Sequence, residues 1–362
     1  MTVHIILLMS VMLLGLLTYS IYKPSKIVNR GFIITSLFMV FVVQALRAHS
    51  VGSDTIVYVK SFALIDSQGF NWRNSSWEPC YVWLNMLVGK FTDNPQWLLA
   101  VCSAIILSGI GLFIYKNMDH TKSAFWPVYF FLVFIHYLNS MNLLRQYLAM
   151  AFVLQIYWVL RDVEGKKKYL ISIALLIIGA NFHVTAIIGA VFFAPYMIKV
   201  IRRKTLVLIG IGVMCVVVLV NRLVPLVYLL FPQFLKYANS FHMQGEGFGL
   251  YYIAYSLLVL SIIVYVFTLP PENPDNIKIY RLTYLAIISL GLLVLKSKIE
   301  LAQRTGYYFD IFIPLLIPEV VNRIGKMKTS FYYLLIIYGV FCFFSTVDSE
   351  ARGCYPYLFF WQ

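Results

Sequence analysis

The sequence predicts an all-α, polytopic integral membrane protein, and its composition is the first reason. Of the 362 residues, 61% are hydrophobic and only 12% are charged, and the mean hydropathy is +0.80. The apolar share of a soluble globular domain is nearer one half. Apolar runs close to the roughly 20 residues needed to cross a bilayer recur along the chain and leave no room for a separate soluble domain. We therefore expect a single transmembrane domain over residues 1–362.

The charges and cysteines exclude several other classes of protein. The net charge of +14 comes from short lysine and arginine clusters between apolar runs, which is the pattern of cytoplasmic anchoring loops rather than of a nucleic-acid-binding surface. The five cysteines show no CxxC spacing, so we expect no metal site. Whether Cys80 pairs with Cys354 stays open. The sequence lacks a Gly-rich phosphate loop, a GxSxG elbow and an HExxH helix, so nucleotide hydrolysis, serine esterase chemistry and zinc proteolysis have no motif support. We expect no cofactor.

The first apolar runs cover residues 3–22 and 31–46. Basic residues follow the first run and none precedes it, which places the N-terminus outside. The apolar segment 79–91 is too short to span and is interpreted as an interfacial helix. The next spans are expected at residues 96–115, 123–140 and 142–160.

Residues 169–200 predict a membrane hairpin. Basic clusters at both ends favour the cytoplasm, which a single crossing cannot satisfy. A bend at Asn181, Phe182 and His183 satisfies both ends, and it places His183 at the apex of two short arms. Interrupted membrane helices of this kind are tolerated where their free backbone groups are buried in protein or line a cavity.

The remaining apolar runs alternate across the membrane. They cover residues 205–220, 249–269, 280–295, 307–321 and 330–345. In all, we expect about ten transmembrane helices, plus the re-entrant or short-helix hairpin and the interfacial helix. Extracytoplasmic connections are expected near residues 47–95, 221–248 and 296–306, with an extracytoplasmic tail at 346–362.

Arg145 is the most informative residue, because it lies near the start of the predicted span 142–160. A charge at membrane depth costs several kcal/mol unless it is paired or lines a wet cavity. Asn142 and Gln146 share its predicted helical face. The predicted topology collects the unusual polar residues on the outer side: Arg47, His49, Asp54, Glu78, Asn142, Arg145, Gln146, His183, Glu300 and Arg304. They predict a one-sided polar cavity.

Converging arginines suit a phosphate-bearing substrate, because guanidinium groups donate paired hydrogen bonds to phosphate oxygens. The carboxylates and the histidine would supply proton transfer. Each residue also has a structural interpretation. Arg47 and Arg145 can extend to lipid headgroups or form ion pairs, Arg304 can be a solvated charge in the loop 296–306, and His183 can be a hydrogen-bonded core residue. Asp54 and Glu78 can be ordinary exposed carboxylates.

The outward-facing residues resemble the pattern of the EpsG family of bacterial exopolysaccharide proteins, which is related in function to Wzy-type polysaccharide polymerases. The similar stretches run in order along the chain: Ala45-Leu46-Arg47, Val51-Gly52-Ser53-Asp54-Thr55 with Tyr58, Trp77-Glu78-Pro79 with Tyr81, Leu144-Arg145-Gln146-Tyr147-Leu148-Ala149, Asn181-Phe182-His183, Gln303-Arg304 with Tyr307-Tyr308-Phe309, and Tyr355-Pro356-Tyr357. Cys80 departs from the pattern, since the family commonly has a small residue after the proline.

The resemblance implies a glycosyltransferase C-like enzyme that joins oligosaccharide repeat units on polyprenyl diphosphate at the outer face of the bacterial cytoplasmic membrane. It implies neither a nucleotide sugar nor an obligatory metal. The expected partners are the lipid-linked oligosaccharide and membrane lipids, with the chain-length regulator and the flippase of the same pathway as further candidates, and no nucleic acid.

Together, the predicted topology and the resemblance give a site. Arg145 and Arg304, with Arg47 as a third candidate, bind the diphosphate. His183 is the first choice for the base, because histidine titrates near neutrality, and Glu78 or Asp54 is the second. Supporting residues are Asn142, Gln146, Tyr58 and Tyr81. A single displacement would invert the anomeric configuration. A lipid-linked oligosaccharide flippase or transporter, an O-antigen ligase-like enzyme and an acyltransferase remain alternatives.

Overall fold

The computed structural model describes residues 1–68, 77–198, 201–230, 235, 245, 247–347 and 352–362. Parts of the predicted connections 47–95 and 221–248 and of the tail 346–362 lie outside these residues. Within the described ranges the chain is helical and contains no β-strand, which confirms the all-α prediction. Its contacts divide it into two compact units, Met1–Phe193 with Leu334–Gln362, and Ala194–Tyr333. The expected single transmembrane domain stays a prediction.

The first unit contains ten helices in its described N-terminal part. They are α1 Thr2–Ile21, α2 Lys26–Ala45, α3 Thr55–Gln68, α4 Pro79–Gly89, α5 Pro95–Asn117, α6 Phe125–Val133, α7 His136–Asn142, α8 Leu144–Val153, α9 Gln155–Asp162 and α10 Lys167–Phe182. A 3₁₀ segment, Val184–Phe193, follows α10. Nearly every side chain of α6, α7 and α8 is buried, so these three short helices form the core of the unit.

The second unit begins with the short α11, Ala194–Met197. Its other described helices are α12 Arg203–Leu230, α13 Leu250–Val266, α14 Ile277–Leu295, α15 Glu300–Asp310 and α16 Ile313–Val321. The last helix, α17 Lys328–Val347, begins in this unit and continues into the first one. Val217 and Val220 of α12 pack with Leu295 and Ala302 in a small apolar core of the second unit.

Six helical segments of the described chain are long and apolar enough to cross a membrane. They are Thr2–Ile21, Lys26–Ala45, Pro95–Asn117, Arg203–Leu230, Pro274–Leu295 and Gly325–Val347. A bent pair, His136–Asn142 with Leu144–Asp162, makes a seventh if it is one span. The prediction of about ten spans stays a prediction, and three of the expected spans are interrupted or bent.

Each interruption is visible in the conformation of the backbone. Phe134 is extended and ends α6 inside the run expected at residues 123–140. Leu143, with φ −94° and ψ 56°, separates α7 from α8, and the chain direction bends by 117° between His136–Asn142 and Leu144–Asp162. In the run expected at residues 307–321, α15 ends at Asp310 and α16 begins again with Pro314 in its first turn, a position where the missing N–H costs nothing.

The hairpin expected at residues 169–200 has its break at His183, whose extended backbone ends α10. Its arms are antiparallel: a Cβ on Gly179 would lie 3.4 Å from Ala186, and a Cβ on Gly189 would lie 3.4 Å from Leu176. The returning arm is a 3₁₀ helix rather than an α-helix. A Cβ on either glycine would overlap a methyl group of Val153 in α8. The two glycines therefore allow the hairpin to pack closely on α8.

The segment 352–362 returns to the segment that follows α2. Arg47 and Phe359 form an antiparallel bridge. The amide of Ala48 donates to the carbonyl of Leu358 at 2.9 Å, and the amide of Ser53 donates to the carbonyl of Arg352 at 2.9 Å. These hydrogen bonds fix the backbone that leads into α3.

Candidate functional site

Glu78 is the centre of a polar cluster that joins three parts of the first unit. It lies at the N-cap of α4, where Pro79 keeps its backbone extended. One carboxylate oxygen, Oε2, accepts a hydrogen bond from Arg145 Nη1 in α8. The other, Oε1, accepts from His183 Nδ1 at 3.0 Å and from the amide of Val184 at 3.3 Å. The cluster Arg145–Glu78–His183 therefore connects α4, α8 and the tip of the hairpin.

The charge state of Glu78 follows from its neighbours. Burial opposes its ionisation, but the hydrogen bond from His183 and the positive charge of Arg145 outweigh burial and lower the pKa of Glu78 to about 2. At neutral pH the carboxylate is therefore ionised and can only accept hydrogen bonds. Nδ1 of His183 therefore carries the proton that it donates to Glu78, and Nε2 is the ring nitrogen that does not contact Glu78.

Arg145 lies in the first turn of α8, directly after the bend at Leu143. A positive charge at a helix N-terminus is opposed by the helix dipole, so the ion pair with Glu78 compensates an unfavourable position. The guanidinium carbon lies 4.3 Å from the ring centre of Trp77 and 5.9 Å from that of Tyr81. Arg145 is thus held between a carboxylate and two aromatic rings, with 23% of its side chain exposed.

Three aromatic side chains form one wall beside Arg145. The ring of Tyr58 lies 6.2 Å from that of Trp77 and 5.9 Å from that of Tyr81. Tyr58 also interacts directly with Arg145. Tyr58 and Tyr81 were expected to support the site. Trp77, which directly precedes Glu78, was part of the family resemblance but was not among the predicted site residues.

Asn142 positions the turn that carries Asp54. Its Oδ1 accepts from the Ser53 hydroxyl at 3.2 Å and from the Asp54 amide at 2.8 Å. Together with burial, the negative charge of Asp54 raises the pKa of Tyr58. The expectation that Asn142 shares a helical face with Arg145 is wrong, because the bend at Leu143 places Asn142 at the end of α7. Gln146 follows Arg145 in α8 and is buried.

Arg47 precedes the turn that carries Asp54. It is fully buried and is not exposed to a cavity. Its Nη1 donates to the carbonyl of Gln44, and its Nη2 donates to the carbonyl of Met141 at 3.0 Å. These bonds link the end of α2 to α7. A diphosphate-binding role does not fit this burial, and neither does extension to lipid headgroups.

Arg304 lies in the second unit. Residues 296–306 were expected to form a polar loop, but Glu300–Asp310 is the helix α15, so the loop prediction is wrong at Arg304. In this helix Glu300 lies one turn before Arg304, and Nε of Arg304 lies 3.5 Å from the Glu300 carboxylate.

Cys80 and Cys354 are free thiols. Among the described residues, no group of three or more His, Cys, Asp or Glu side chains could hold a metal ion.

Long apolar helices together with a half-buried ionic cluster define a multi-pass membrane protein. The model of the EpsG family matches residues 29–359, so the chain belongs to the EpsG family, which consists generally of polysaccharide polymerases. This match confirms the resemblance found in the sequence. No curated protein and no solved structure matches the chain significantly.

Proposed function

We propose that the protein is a polymerase that transfers a polyprenyl-diphosphate-linked glycan onto an acceptor repeat unit, itself lipid-linked, at the outer face of the bacterial cytoplasmic membrane. The observation that carries the proposal is the Arg145–Glu78–His183 cluster, which combines a fixed cation with an oriented imidazole. Membership of the EpsG family supports the reaction class. The glycosyltransferase C-like architecture and the outward N-terminus are parts of the same proposal.

His183 is the proposed general base. Its Nδ1 donates to Glu78 at 3.0 Å, so Nε2 is oriented to accept the proton of the acceptor hydroxyl. Glu78 itself is a poor base at neutral pH, because its pKa is about 2. Its role is to hold the imidazole in one tautomer and to stabilise the imidazolium that forms. Asp54 lies near Tyr58, where burial and the charge of Asp54 both raise the pKa of the phenol. Asp54 stays a separate candidate for the base.

Arg145 is the proposed ligand of the diphosphate. Before reaction, the positive charge of Arg145 is balanced by the negative charge of Glu78. When His183 takes up the acceptor's proton, the cluster gains one positive charge at the moment when negative charge develops on the leaving diphosphate. Electrostatic stabilisation that strengthens during the reaction lowers the barrier more than stabilisation that is constant throughout. Trp77 and Tyr81 hold the guanidinium in place.

The proposed step is a single displacement. The acceptor oxygen forms a bond to the anomeric carbon of the donor glycan, the bond from that carbon to the diphosphate oxygen breaks, and polyprenyl diphosphate leaves with the electron pair. The acceptor proton moves to Nε2 of His183. The anomeric configuration is inverted, and retention in the product would contradict the scheme.

The test is incubation of the purified protein with a polyprenyl-diphosphate oligosaccharide, followed by separation of products by length. We expect a ladder of glycans. Addition to an acceptor without repeated extension would indicate a ligase, and movement of the lipid across vesicles without any new glycosidic bond would indicate a flippase.

Variants of the cluster separate catalysis from folding. Arg145→Ala leaves the Glu78 carboxylate half-buried without its cation, so the variant can unfold. The double variant Arg145→Ala/Glu78→Gln removes both charges and should recover stability without recovering ladder formation. Arg222→Ala on α12, where the arginine is exposed, is the matched control. Undiminished ladders from a folded double variant would overturn the assignment.

A further inference from the structure

A groove of about 590 Å³ runs along the surface of the first unit between α2 and α5. Its walls are mainly apolar, with Ile33, Leu37 and Phe41 on α2 and Leu107 and Leu112 on α5. Gly111 lets α5 pack closely against α2, since a Cβ there would be 2.9 Å from Leu37 Cδ1. The groove is a feature of helix packing and is separate from the Arg145–Glu78–His183 cluster.

The two ends of the groove differ in polarity. Arg30 and Tyr115 lie together at one end, because α2 and α5 are antiparallel, and Phe41 and Ala104 lie at the other. The antiparallel pairing is fixed at the start of α2 by Asn29, which donates to the carbonyl of His120 at 3.2 Å. At the opposite end of α2, Gln96 donates to the carbonyl of Arg47 at 3.0 Å. The groove therefore has a charged end and an apolar end.

The length of the groove matches one leaflet of a bilayer. Arg30 and Phe41 are 11 positions apart on α2, which is about 16 Å along a helix axis. Half of a hydrocarbon core is about 15 Å thick. Both α2 and α5 are long and apolar enough to span. An acyl chain lying along the groove would reach Phe41 when its headgroup is beside Arg30.

The charge at the polar end selects the headgroup. Arg30 is exposed, Lys26 lies one turn before it on α2, and Lys23 lies in the preceding connection. Lys116, near Tyr115 on α5, stacks instead over Trp158 at 4.8 Å. Each lysine or arginine near a membrane surface favours anionic lipid. A zwitterionic headgroup gains less from this cluster, because its own cation is repelled.

We infer that the α2–α5 groove is a binding site for an anionic phospholipid, with the phosphate at Arg30 and an acyl chain between α2 and α5. The charged end is the start of α2, whereas the other end of α2 leads to Arg47, on the side of Asn142. The bound lipid therefore belongs to the leaflet remote from the Arg145–Glu78–His183 cluster. It is thus distinct from the lipid-linked substrate. The inference does not depend on the proposed polymerase reaction.

The test compares phosphatidylglycerol with phosphatidylcholine of identical acyl chains, titrated into the detergent-solubilised full-length protein and counted by native mass spectrometry. We expect the wild type to bind the first lipid at least about fivefold more tightly. Arg30→Ala should abolish this preference, and Arg30→Lys should keep most of it. Ser108→Phe, which fills the groove with an aromatic ring, should weaken binding of both lipids.

Arg222→Ala is the control for loss of one exposed arginine and should leave the preference unchanged. Thermal unfolding of each variant confirms that it is folded, and the substituted side chains Arg30 and Ser108 are exposed, so folding should be retained. Equal binding of the two lipids by the wild type would overturn the inference. A preference that survives Arg30→Ala, or binding unaffected by Ser108→Phe, would do the same.

Discussion

At the residue scale, Glu78 uses its two carboxylate oxygens for three interactions, with Arg145, His183 and the amide of Val184. The sequence predicted Glu78, Arg145 and His183 as polar residues of one site. It could not predict which of them contact each other, because residues 78, 145 and 183 come together only through tertiary packing. The same holds for Arg47, whose burial against main-chain carbonyls is invisible in its sequence position at a helix end.

Glu78→Gln is expected to reduce polymer formation by about two orders of magnitude or more, the usual size of a general acid–base contribution. The amide keeps the shape of the side chain but neither pairs with Arg145 nor stabilises an imidazolium. The measurement is the rate of ladder formation at saturating substrate. Glu164→Gln, at an exposed glutamate, is the control and should retain full activity. Wild-type rates from Glu78→Gln would contradict the role given to the carboxylate.

The pH dependence of stability tests the charge state of Glu78, which lies outside the candidate spans. Its pKa falls from an ordinary value of 4.5 to about 2 in the folded protein. A lowered pKa contributes stability that is fully present above about pH 4.5 and is lost as the pH falls towards 2. The difference in Tm between the wild type and Glu78→Gln should therefore be constant from pH 7 to about 5.5 and shrink below about 4.5. A difference that stays constant down to about pH 2.5 would show an ordinary pKa.

At the element scale, the hairpin and α8 determine whether His183 reaches Glu78. The break at His183 was predictable, because basic clusters at both ends of residues 169–200 do not fit one crossing. A turn was also expected between the runs 123–140 and 142–160, but its position at Leu143 was not predictable, because residues 142–144 contain neither glycine nor proline. It coincides with the hydrogen bonds of Asn142 to Ser53 and Asp54, which are distant in sequence. Tertiary contacts of this kind override local helix propensity.

Gly189→Ala should displace the hairpin, since a Cβ at this position overlaps Val153 Cγ1. We expect a loss of about 1–3 kcal/mol in unfolding free energy and a marked loss of activity, because His183 moves with the hairpin. Val153→Ala removes the overlapping methyl groups, so the double variant should be less impaired than the single changes added together. Gly212→Ala, where nothing lies within 4 Å, is the control. Strict additivity would contradict the packing role.

At the scale of the whole molecule, the sequence predicted the all-α class and the membrane setting from composition, which averages over the chain. The number of spans was harder to predict, since helices such as α6 with α7 and α15 with α16 are broken inside apolar runs. The second unit carries its own polar residues. Asp310 is buried there and accepts from Tyr255 at 2.5 Å and from Ser289 at 3.0 Å.

Arg304→Ala tests whether the second unit contributes to the reaction. The i,i+4 pair with Glu300 is partly exposed, and such pairs contribute only about 0.3–0.5 kcal/mol. We expect nearly unchanged thermal stability, and at least a tenfold loss in ladder formation if Arg304 binds the diphosphate as the sequence predicted. Glu300→Gln breaks the same pair and should retain activity if Arg304 acts on substrate. Equal losses from both variants would indicate that the pair has a structural role instead.

The backbone pairing of residues 352–360 with residues 46–53 also has a consequence for synthesis. The amide of Phe360 donates to the carbonyl of Leu46 at 2.9 Å, and the amide of Gly52 donates to the carbonyl of Gly353 at 2.7 Å. A nascent chain that has inserted α1 to α10 still lacks these partners. The turn before α3 that carries Asp54 can therefore reach its final backbone conformation only after residue 360 has left the ribosome, so this part of the site matures after α1 to α10 have been synthesised.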